Sequence, residues 1–283
     1  MAISTTAAPS GDVRANLNFY KPNADGAKPF NYVDTPPEGE PQRNFGDETH
    51  EVLIRDVRGR EAEYNLDQDA FLVISGVAPS KEESFVDDKS IEANYYPELE
   101  ELLVKQLGAT KVFFFDHTIR RTDPSAPRNP VQRVHIDQVP ASVAQRVRKH
   151  LPEEADELLK GRHRIINIWR PLNKKPVESF PLAFASSSTL EDSDVIPVQH
   201  RYPNGYTGQT AAIAYNPSQK WYYLSGMTGD ERLLLECFDS EGLKPGSGVQ
   251  GGRLAHSAFA DPRSRPDAEG RESIEVRALV FGP

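Results

Sequence analysis

The chain has 283 residues, enough for one large domain or two small ones. Its net charge of −9 leaves no excess of basic residues for a nucleic-acid partner. No apolar run is long enough to span a membrane, the N-terminus lacks a secretory signal, and the single cysteine, Cys237, excludes an intramolecular disulfide, so we predict a cytoplasmic protein.

The first part of the chain mixes irregular and regular segments. Residues 1–50 are rich in Pro, Gly and Asn and predict an irregular N-terminal arm, which leaves 51–283 as a single domain. Leucines at helical spacing predict a helix over 91–108, with Gly108 as its stop. Short apolar runs predict strands at 51–57, 70–74 and 111–117, and a loop with two prolines at 122–129.

The second part reads mainly as strands. Residues 141–160 predict a helix that breaks at Pro152. The strands that follow are predicted at 164–171, 182–185, 195–202, 209–215, 221–225, 233–238, 253–259 and 272–281. Helices followed by many strands indicate an α+β fold, whose core is a double-stranded β-helix, the cupin-like jelly roll, with helices packed on one sheet.

Polar and apolar residues alternate between Arg133 and Gln138, which predicts a strand. Side chains two residues apart on a strand point to the same face, so His135 and Asp137 project together. With one more histidine they would form the 2-His-1-carboxylate triad of non-haem Fe(II) oxygenases. His256, in a later strand-like run, is the candidate third ligand. A solvated strand face with a local His–Asp hydrogen bond would show the same tripeptide.

Shortly after His256, an Arg-x-Ser pattern opens the last predicted strand. The planar fork of an arginine matches a carboxylate, so Arg271 with Ser273 could bind the far end of a dicarboxylate co-substrate. Arg277 lies on the same predicted face and is the second candidate. The alternative is that Arg271 pairs with a neighbouring glutamate, Glu272 or Glu275.

Other side chains are candidates for the walls of a substrate pocket, although a purely structural role explains them as well. They are His117, Arg120, Asn167, Trp169 and Tyr202.

Several strings together resemble one family. They are Arg-Ile-Ile-Asn-Ile-Trp-Arg-Pro at 164–171, Tyr-Asn-Pro to Trp-Tyr-Tyr at 215–223, His-Ser-Ala-Phe at 256–259 and the run from Arg-Glu-Ser at 271–281. This combination resembles the fungal AsaB-type hydroxylase/desaturase family, over roughly residues 50–283. The family is similar to bacterial cephem methoxylase subunits and to fungal gibberellin desaturase-like proteins.

The resemblance implies an Fe(II)/2-oxoglutarate-dependent dioxygenase of fungal secondary metabolism, which uses Fe(II), 2-oxoglutarate and O2. Such an enzyme couples co-substrate decarboxylation to C–H abstraction from a small molecule and gives hydroxylation, desaturation or oxidative cyclisation. Some relatives act on small amino acids, including aziridine formation from valine. The alternatives are a cupin-like metal isomerase or lyase that does not use 2-oxoglutarate, and a non-enzymatic jelly-roll binding protein. We expect a small-molecule substrate, no nucleic acid and no membrane, and the sequence predicts no oligomeric state.

Overall fold

The computed structural model describes residues 7–122, 128–202, 205 and 207–283. Within them the helices are α1 (Leu66–Asp69), α2 (Asp88–Leu107), α3 (Pro140–His150) and α4 (Ala155–Leu158), with short 3-10 turns at Glu61–Glu63, Ser187–Thr189, Asp192–Asp194 and Glu241–Leu243. The strands are β1 (Val13–Lys21), β2 (Phe30–Tyr32), β3 (Gly46–Asp56), β4 (Phe71–Ile74), β5 (Lys111–Arg121), β6 (His135–Ile136), β7 (His163–Pro171), β8 (Leu182–Ala185), β9 (Val195–Arg201), β10 (Thr207–Ile213), β11 (Trp221–Tyr223), β12 (Arg232–Asp239), β13 (His256–Ala258) and β14 (Glu272–Phe281).

The strands of the described chain form two sheets. The nine-stranded sheet has the order β1-β3-β11-β8-β13-β6-β10-β9-β2, and the five-stranded sheet has the order β4-β12-β7-β14-β5. Apolar side chains of both sheets share one core cluster, in which Trp221 of the larger sheet and Leu279 of the smaller sheet are buried. Two sheets that pack face to face around such a core form the predicted jelly roll.

Helix α2 packs on the outer face of the five-stranded sheet. Its buried residues, among them Ile91 and Leu99, share a cluster with Val276 of β14. The helix begins after Asp87, whose carboxylate accepts a hydrogen bond from the backbone of Ser90. It ends at Gly108, which takes the left-handed conformation that favours glycine at a helix end. The predicted stop is therefore confirmed.

The predicted helix over 141–160 is two helices, and the break lies where the proline predicted it. Helix α3 ends at His150 and α4 begins at Ala155. Val143 and Val147 of α3 are buried in the cluster shared by the two sheets, so this segment contributes to the central core.

The prediction of an irregular arm over residues 1–50 was wrong where β1, β2 and the start of β3 form, whereas 7–12, 22–29 and 33–45 lie outside regular strands. Strand β1 pairs antiparallel with β3 at every position from Val13 to Lys21. Val13, Leu17 and Phe19 are buried in the core, and polar residues alternate with them. These strands belong to the larger sheet, because one face of β1 buries enough apolar surface to fix it there. The boundary predicted after residue 50 falls inside β3.

Part of the predicted loop over 122–129 lies outside the described residues, since 123–127 are not among them.

Among the described helices, none is long and apolar enough to cross a membrane.

Candidate active site

Three possible metal ligands meet between the two sheets. Within the larger sheet, His135 of β6 and His256 of β13 are direct antiparallel partners, and their rings lie 4.4 Å apart. Asp137 follows β6 in a bend, and its Oδ1 lies 3.4 Å from Nε2 of His135. One possible ligand atom from each of these residues lies within 4.8 Å of the others. The strand predicted over 133–138 is regular only at 135–136, yet His135 and Asp137 still point to one side.

Backbone carbonyls set which nitrogen of each histidine is free. Nδ1 of His135 lies 2.8 Å from the carbonyl oxygen of Arg133, and Nδ1 of His256 lies 3.1 Å from that of Leu254. A carbonyl can only accept, so each Nδ1 carries a proton, and in the neutral ring Nε2 keeps the lone pair. Burial, with the charge of His135 second, lowers the pKa of His256 to about 4, which keeps this ring neutral. Rings held in this way, with Nε2 directed at a common point, are suited to bind a metal.

The carboxylate of Asp137 is held by its other oxygen. Oδ2 accepts hydrogen bonds from Nδ2 of Asn167 at 2.9 Å and from Nε of Arg277 at 3.0 Å. This leaves Oδ1 on the side of the histidines. Burial alone would raise the pKa of Asp137, but the charge of Arg277 holds it well below its usual value. Two imidazoles and one ionised carboxylate are a donor set that fits Fe(II).

Arg277, the second candidate for the co-substrate anchor, is already paired. Besides Asp137, its guanidinium contacts Oδ1 of Asp116 at 2.8 Å and Oε1 of Glu275, and it donates to the hydroxyl of Thr118 at 3.0 Å. With three carboxylates around it, this guanidinium has little capacity left for a diacid. Its contacts make it a support of Asp137.

Arg271 has the opposite surroundings. Its side chain is almost completely buried, and Nη1 donates to the carbonyl oxygen of Phe180 at 2.8 Å. Its Nε has no partner, and no carboxylate of the described chain pairs with it. The guanidinium carbon lies 5.6 Å from the ring centre of Trp169. Burial, followed by repulsion from Arg120, lowers the pKa of Arg271 to about 9. A buried cation without a counter-ion is costly, which favours an anionic ligand here.

One cavity joins these groups. It is lined by both histidines of the cluster, by polar and charged residues of the smaller sheet, and by a few apolar side chains: Thr118, Arg120, Val131, His135, Trp169, Leu182, His256, Ala258, Arg271, Ser273, Glu275 and Arg277. His135, His256 and Arg271 therefore line one space, and Asp137 lies next to His135.

Of the predicted pocket residues, Arg120 and Trp169 line the cavity, and Asn167 contacts Asp137 instead. The placement of His117 in the pocket was wrong. His117 points to the opposite face of β5, where its Nδ1 lies 2.8 Å from the hydroxyl of Tyr96. The residues before and after it point to the inner face, where they contact Arg277. Tyr202, just after β9, is not among the cavity residues either.

The sequence interpretation missed two contributions to the site. Glu275 lies two residues from Ser273 and from Arg277, so period-two alternation could have placed it on the inner face. Phe180, whose carbonyl oxygen accepts from Arg271, has a positive φ of 47° that no local sequence signal indicates.

Comparisons with known proteins agree with this geometry. Residues 17–281 match a family model described as "Oxidoreductase/YMDC permease-like domain". The chain is 38% identical to the hydroxylase/desaturase poxK of Penicillium oxalicum, over 96% of this chain and 92% of that protein. It is 32% identical to the Fe(II)/2-oxoglutarate-dependent dioxygenase nvfI of Aspergillus novofumigatus, over 95% and 96%.

A solved structure is also similar. The iron and alpha-ketoglutarate-dependent endoperoxidase NvfI superposes with a TM-score of 0.86 at 30% identity, covering 97% of this chain and 99% of the other. The predicted family, fold, enzyme class and cofactors are thereby confirmed. The chain belongs to the oxidoreductase family of that model, and within it to the fungal hydroxylase/desaturase proteins of the AsaB type, which are Fe(II)/2-oxoglutarate-dependent dioxygenases.

Proposed function

We propose that His135, Asp137 and His256 bind Fe(II), and that Arg271 with Ser273 binds the distal carboxylate of 2-oxoglutarate. The observation that carries this proposal is that one cavity contains both a set of possible metal ligands and a cation without a counter-ion among the described residues. At one side, two Nε2 atoms and one carboxylate oxygen converge. At the other, a buried guanidinium lacks any carboxylate among the described residues. A diacid that reaches from the metal to Arg271 satisfies both.

The chemistry that Fe(II) supplies when bound is reductive activation of O2, driven by decarboxylation of 2-oxoglutarate to succinate. The protein's own residues prepare the site for it. Asn167 and Arg277 fix Oδ2 of Asp137, which aims Oδ1 between the histidines. The backbone carbonyls of Arg133 and Leu254 hold the protons on Nδ1 of the two rings. Each ligand is thus oriented before any metal arrives.

The cavity wall supports the co-substrate and shields it. Trp169 lies beside the guanidinium of Arg271 and closes that end, while Leu182 and Ala258 add apolar surface. Excluding water there strengthens a charge-assisted pair between Arg271 and a carboxylate. We infer that the product is a hydroxylated, desaturated or cyclised small molecule of fungal secondary metabolism, and that an amino acid such as valine is one substrate to test.

Three further predictions belong to this proposal. Residues 51–283 form one domain, together with the described strands that precede them. Arg120 and Trp169 contact the substrate or co-substrate, in agreement with their place in the cavity wall. The location is cytoplasmic, for which the free buried Cys237 is the supporting observation.

The test is succinate production. Purified protein with Fe(II), ascorbate and 2-oxoglutarate should release succinate, and the rate should rise with the right substrate from a panel of amino acids and pathway metabolites. The matched variant is Asp137→Asn, which keeps the size of the side chain but removes the ionised ligand. Wild-type protein that never consumes 2-oxoglutarate, or a variant as active as wild type, would contradict the proposal.

A further inference from the structure

A second guanidinium in the cavity also lacks an ionic partner. Arg120 of β5 is the direct strand partner of Ser273, so the two side chains lie next to each other on the inner face. Its one hydrogen bond within the described residues runs from Nη1 to the backbone carbonyl oxygen of Asn129 at 3.1 Å. No carboxylate of the described chain lies within ion-pair distance of it. Arg120 is therefore a partly buried cation with one neutral acceptor.

Nearby charges do not satisfy Arg120. The carboxylate whose attraction it feels most is Glu275, and Oε1 of Glu275 is already taken by Arg277. Arg277 itself repels Arg120. Burial is the largest of the causes that lower the pKa of Arg120 below its usual value. The present surroundings of Arg120 therefore disfavour its charged form.

Another arginine shows what a purely structural solution looks like. Arg232 is also buried and pairs with no carboxylate of the described residues, but its Nη1 donates to the carbonyl oxygens of Gly229 and Glu231. Its guanidinium also lies 5.7 Å from the ring centre of Tyr95. Arg120 has neither a second carbonyl nor a ring among its described contacts, and it borders a cavity instead.

Binding of 2-oxoglutarate would occupy Arg271 but leave Arg120 without an anionic partner. One carboxylate of 2-oxoglutarate would lie at the metal and the other at Arg271. Arg271 is the deeper group, enclosed by Phe180 and Trp169. Arg120 stands on β5, the edge strand of the smaller sheet, beside the segment that carries Asn129. Arg120 is also the more exposed of the two arginines, so it is the one that a second molecule in the cavity could reach.

We propose that Arg120 binds a carboxylate of the substrate, so that the enzyme acts on a small organic acid in its anionic form. This proposal rests on the assignment of Arg271 to 2-oxoglutarate. A charge-assisted, two-pronged contact on one side of the cavity would also orient the substrate. The position of the reacting C–H bond would then be set by its distance from the carboxylate.

The experiment uses the full chain loaded with Mn(II), a metal that suits the same donors, and saturated with 2-oxoglutarate. The probes are hexanoate and its neutral analogue hexanamide. Paramagnetic relaxation of the probe protons by Mn(II) reports binding near the metal without turnover. We expect saturable relaxation of hexanoate and at least about tenfold weaker binding of hexanamide.

Variants of adjacent residues separate the roles. Arg120→Gln should remove the preference for hexanoate while leaving Mn(II) and 2-oxoglutarate binding unchanged, and Arg120→Lys should keep part of it. Arg121→Gln is the matched control, because Arg121 is the next residue of β5 but pairs with Glu272, with 2.9 Å between Nε and Oε2. This control should bind hexanoate like the wild type.

Equal binding of the two probes, or hexanoate binding that survives Arg120→Gln, would overturn the proposal. Displacement of hexanoate by excess 2-oxoglutarate would also overturn it, since Arg120 would then serve the co-substrate. Failure of the proposed function has a different signature. In that case wild-type protein would not bind 2-oxoglutarate in the presence of Mn(II), before any probe is added.

Discussion

Nε of Arg277 donates to Oδ2 of Asp137 at 3.0 Å, which ties a residue of the last strand to a side chain of the metal cluster. The same guanidinium reaches Asp116 on the edge strand. Asp137 thus receives a fixed orientation from the smaller sheet, although it follows a strand of the larger one. The two sheets meet through this contact, and the orientation of the carboxylate depends on their packing.

Removing the other support of this carboxylate should weaken metal binding without unfolding the protein. Asn167→Ala deletes the 2.9 Å hydrogen bond to Oδ2 of Asp137 but leaves Arg277 in place. We expect the affinity for Mn(II) to fall about 10–100-fold, as is usual for partners of metal ligands. Calorimetric titration of Mn(II) measures this. An unchanged affinity would mean that Arg277 alone orients the carboxylate.

Removing Arg277 should damage the fold as well as the site. Arg277→Met leaves the carboxylates of Asp116, Asp137 and Glu275 close together without their shared cation. Breaking a buried pair in this way typically costs about 3–5 kcal/mol. Chemical denaturation of the metal-free protein would show the loss, and a stability equal to that of wild type would argue against the network.

The histidines should be needed for the metal and dispensable for the fold. His135→Ala or His256→Ala should abolish Mn(II) binding and turnover, because each removes one of three ligands. Among the described residues, both rings hydrogen-bond to the backbone through Nδ1, and both line the cavity. Thermal melts without metal provide the control. A variant that fails to fold would show that the histidine is structural.

Local patterns in the sequence predicted much of this arrangement. Alternation around His135 indicated that Asp137 shares its face, and the structure brings both together with His256. Short apolar or alternating runs predicted most strands of both sheets, because burial of one or both faces of a strand leaves such a pattern in the sequence. The same alternation from Val13 to Phe19 was hidden by small and polar residues, so β1 was missed.

What could not be predicted depends on contacts across strands. The choice between the two arginines depends on which carboxylates surround each of them. A bulge in β5 opposite β14 places Asp116 opposite Arg277, and sequence spacing does not show it. The bulge shifts the register by one residue, and so it decides which side chains of β5 reach the cavity.

A buried glutamate away from the cavity should make stability fall as pH rises. Glu236 is fully buried, and neither carboxylate oxygen has a hydrogen-bond partner among the described residues. Burial, with the charge of Asp239 second, raises its pKa well above the usual value. Below about pH 4.3 the side chain is protonated in both states. Above it the unfolded chain loses the proton first, so stability decreases with pH until the folded state ionises too.

Glu236→Gln should therefore flatten this slope and raise the melting temperature near neutral pH. Unfolding followed by circular dichroism at several values between pH 5 and 8 would test this. The matched control is Glu83→Gln, because Glu83 is exposed and its replacement should leave the slope as it is in the wild type. If Glu236→Gln showed the same slope as wild type, Glu236 would be ionised in the folded protein.

The final prediction separates the two arginines by their ligands. Arg271→Met removes a buried cation that has no counter-ion, so the protein without 2-oxoglutarate should melt about 2–6 °C higher than wild type. The same variant should bind 2-oxoglutarate about 10–1000-fold more weakly in the presence of Mn(II), since the distal carboxylate loses its partner. Higher stability together with weaker ligand binding is the expected result of removing a residue that serves a ligand at a cost to stability. Arg277→Met should instead lower the melting temperature of the protein without 2-oxoglutarate. If Arg271→Met instead destabilises the protein and leaves the 2-oxoglutarate affinity intact, the guanidinium serves the fold through Phe180, and the co-substrate anchor lies elsewhere in the cavity.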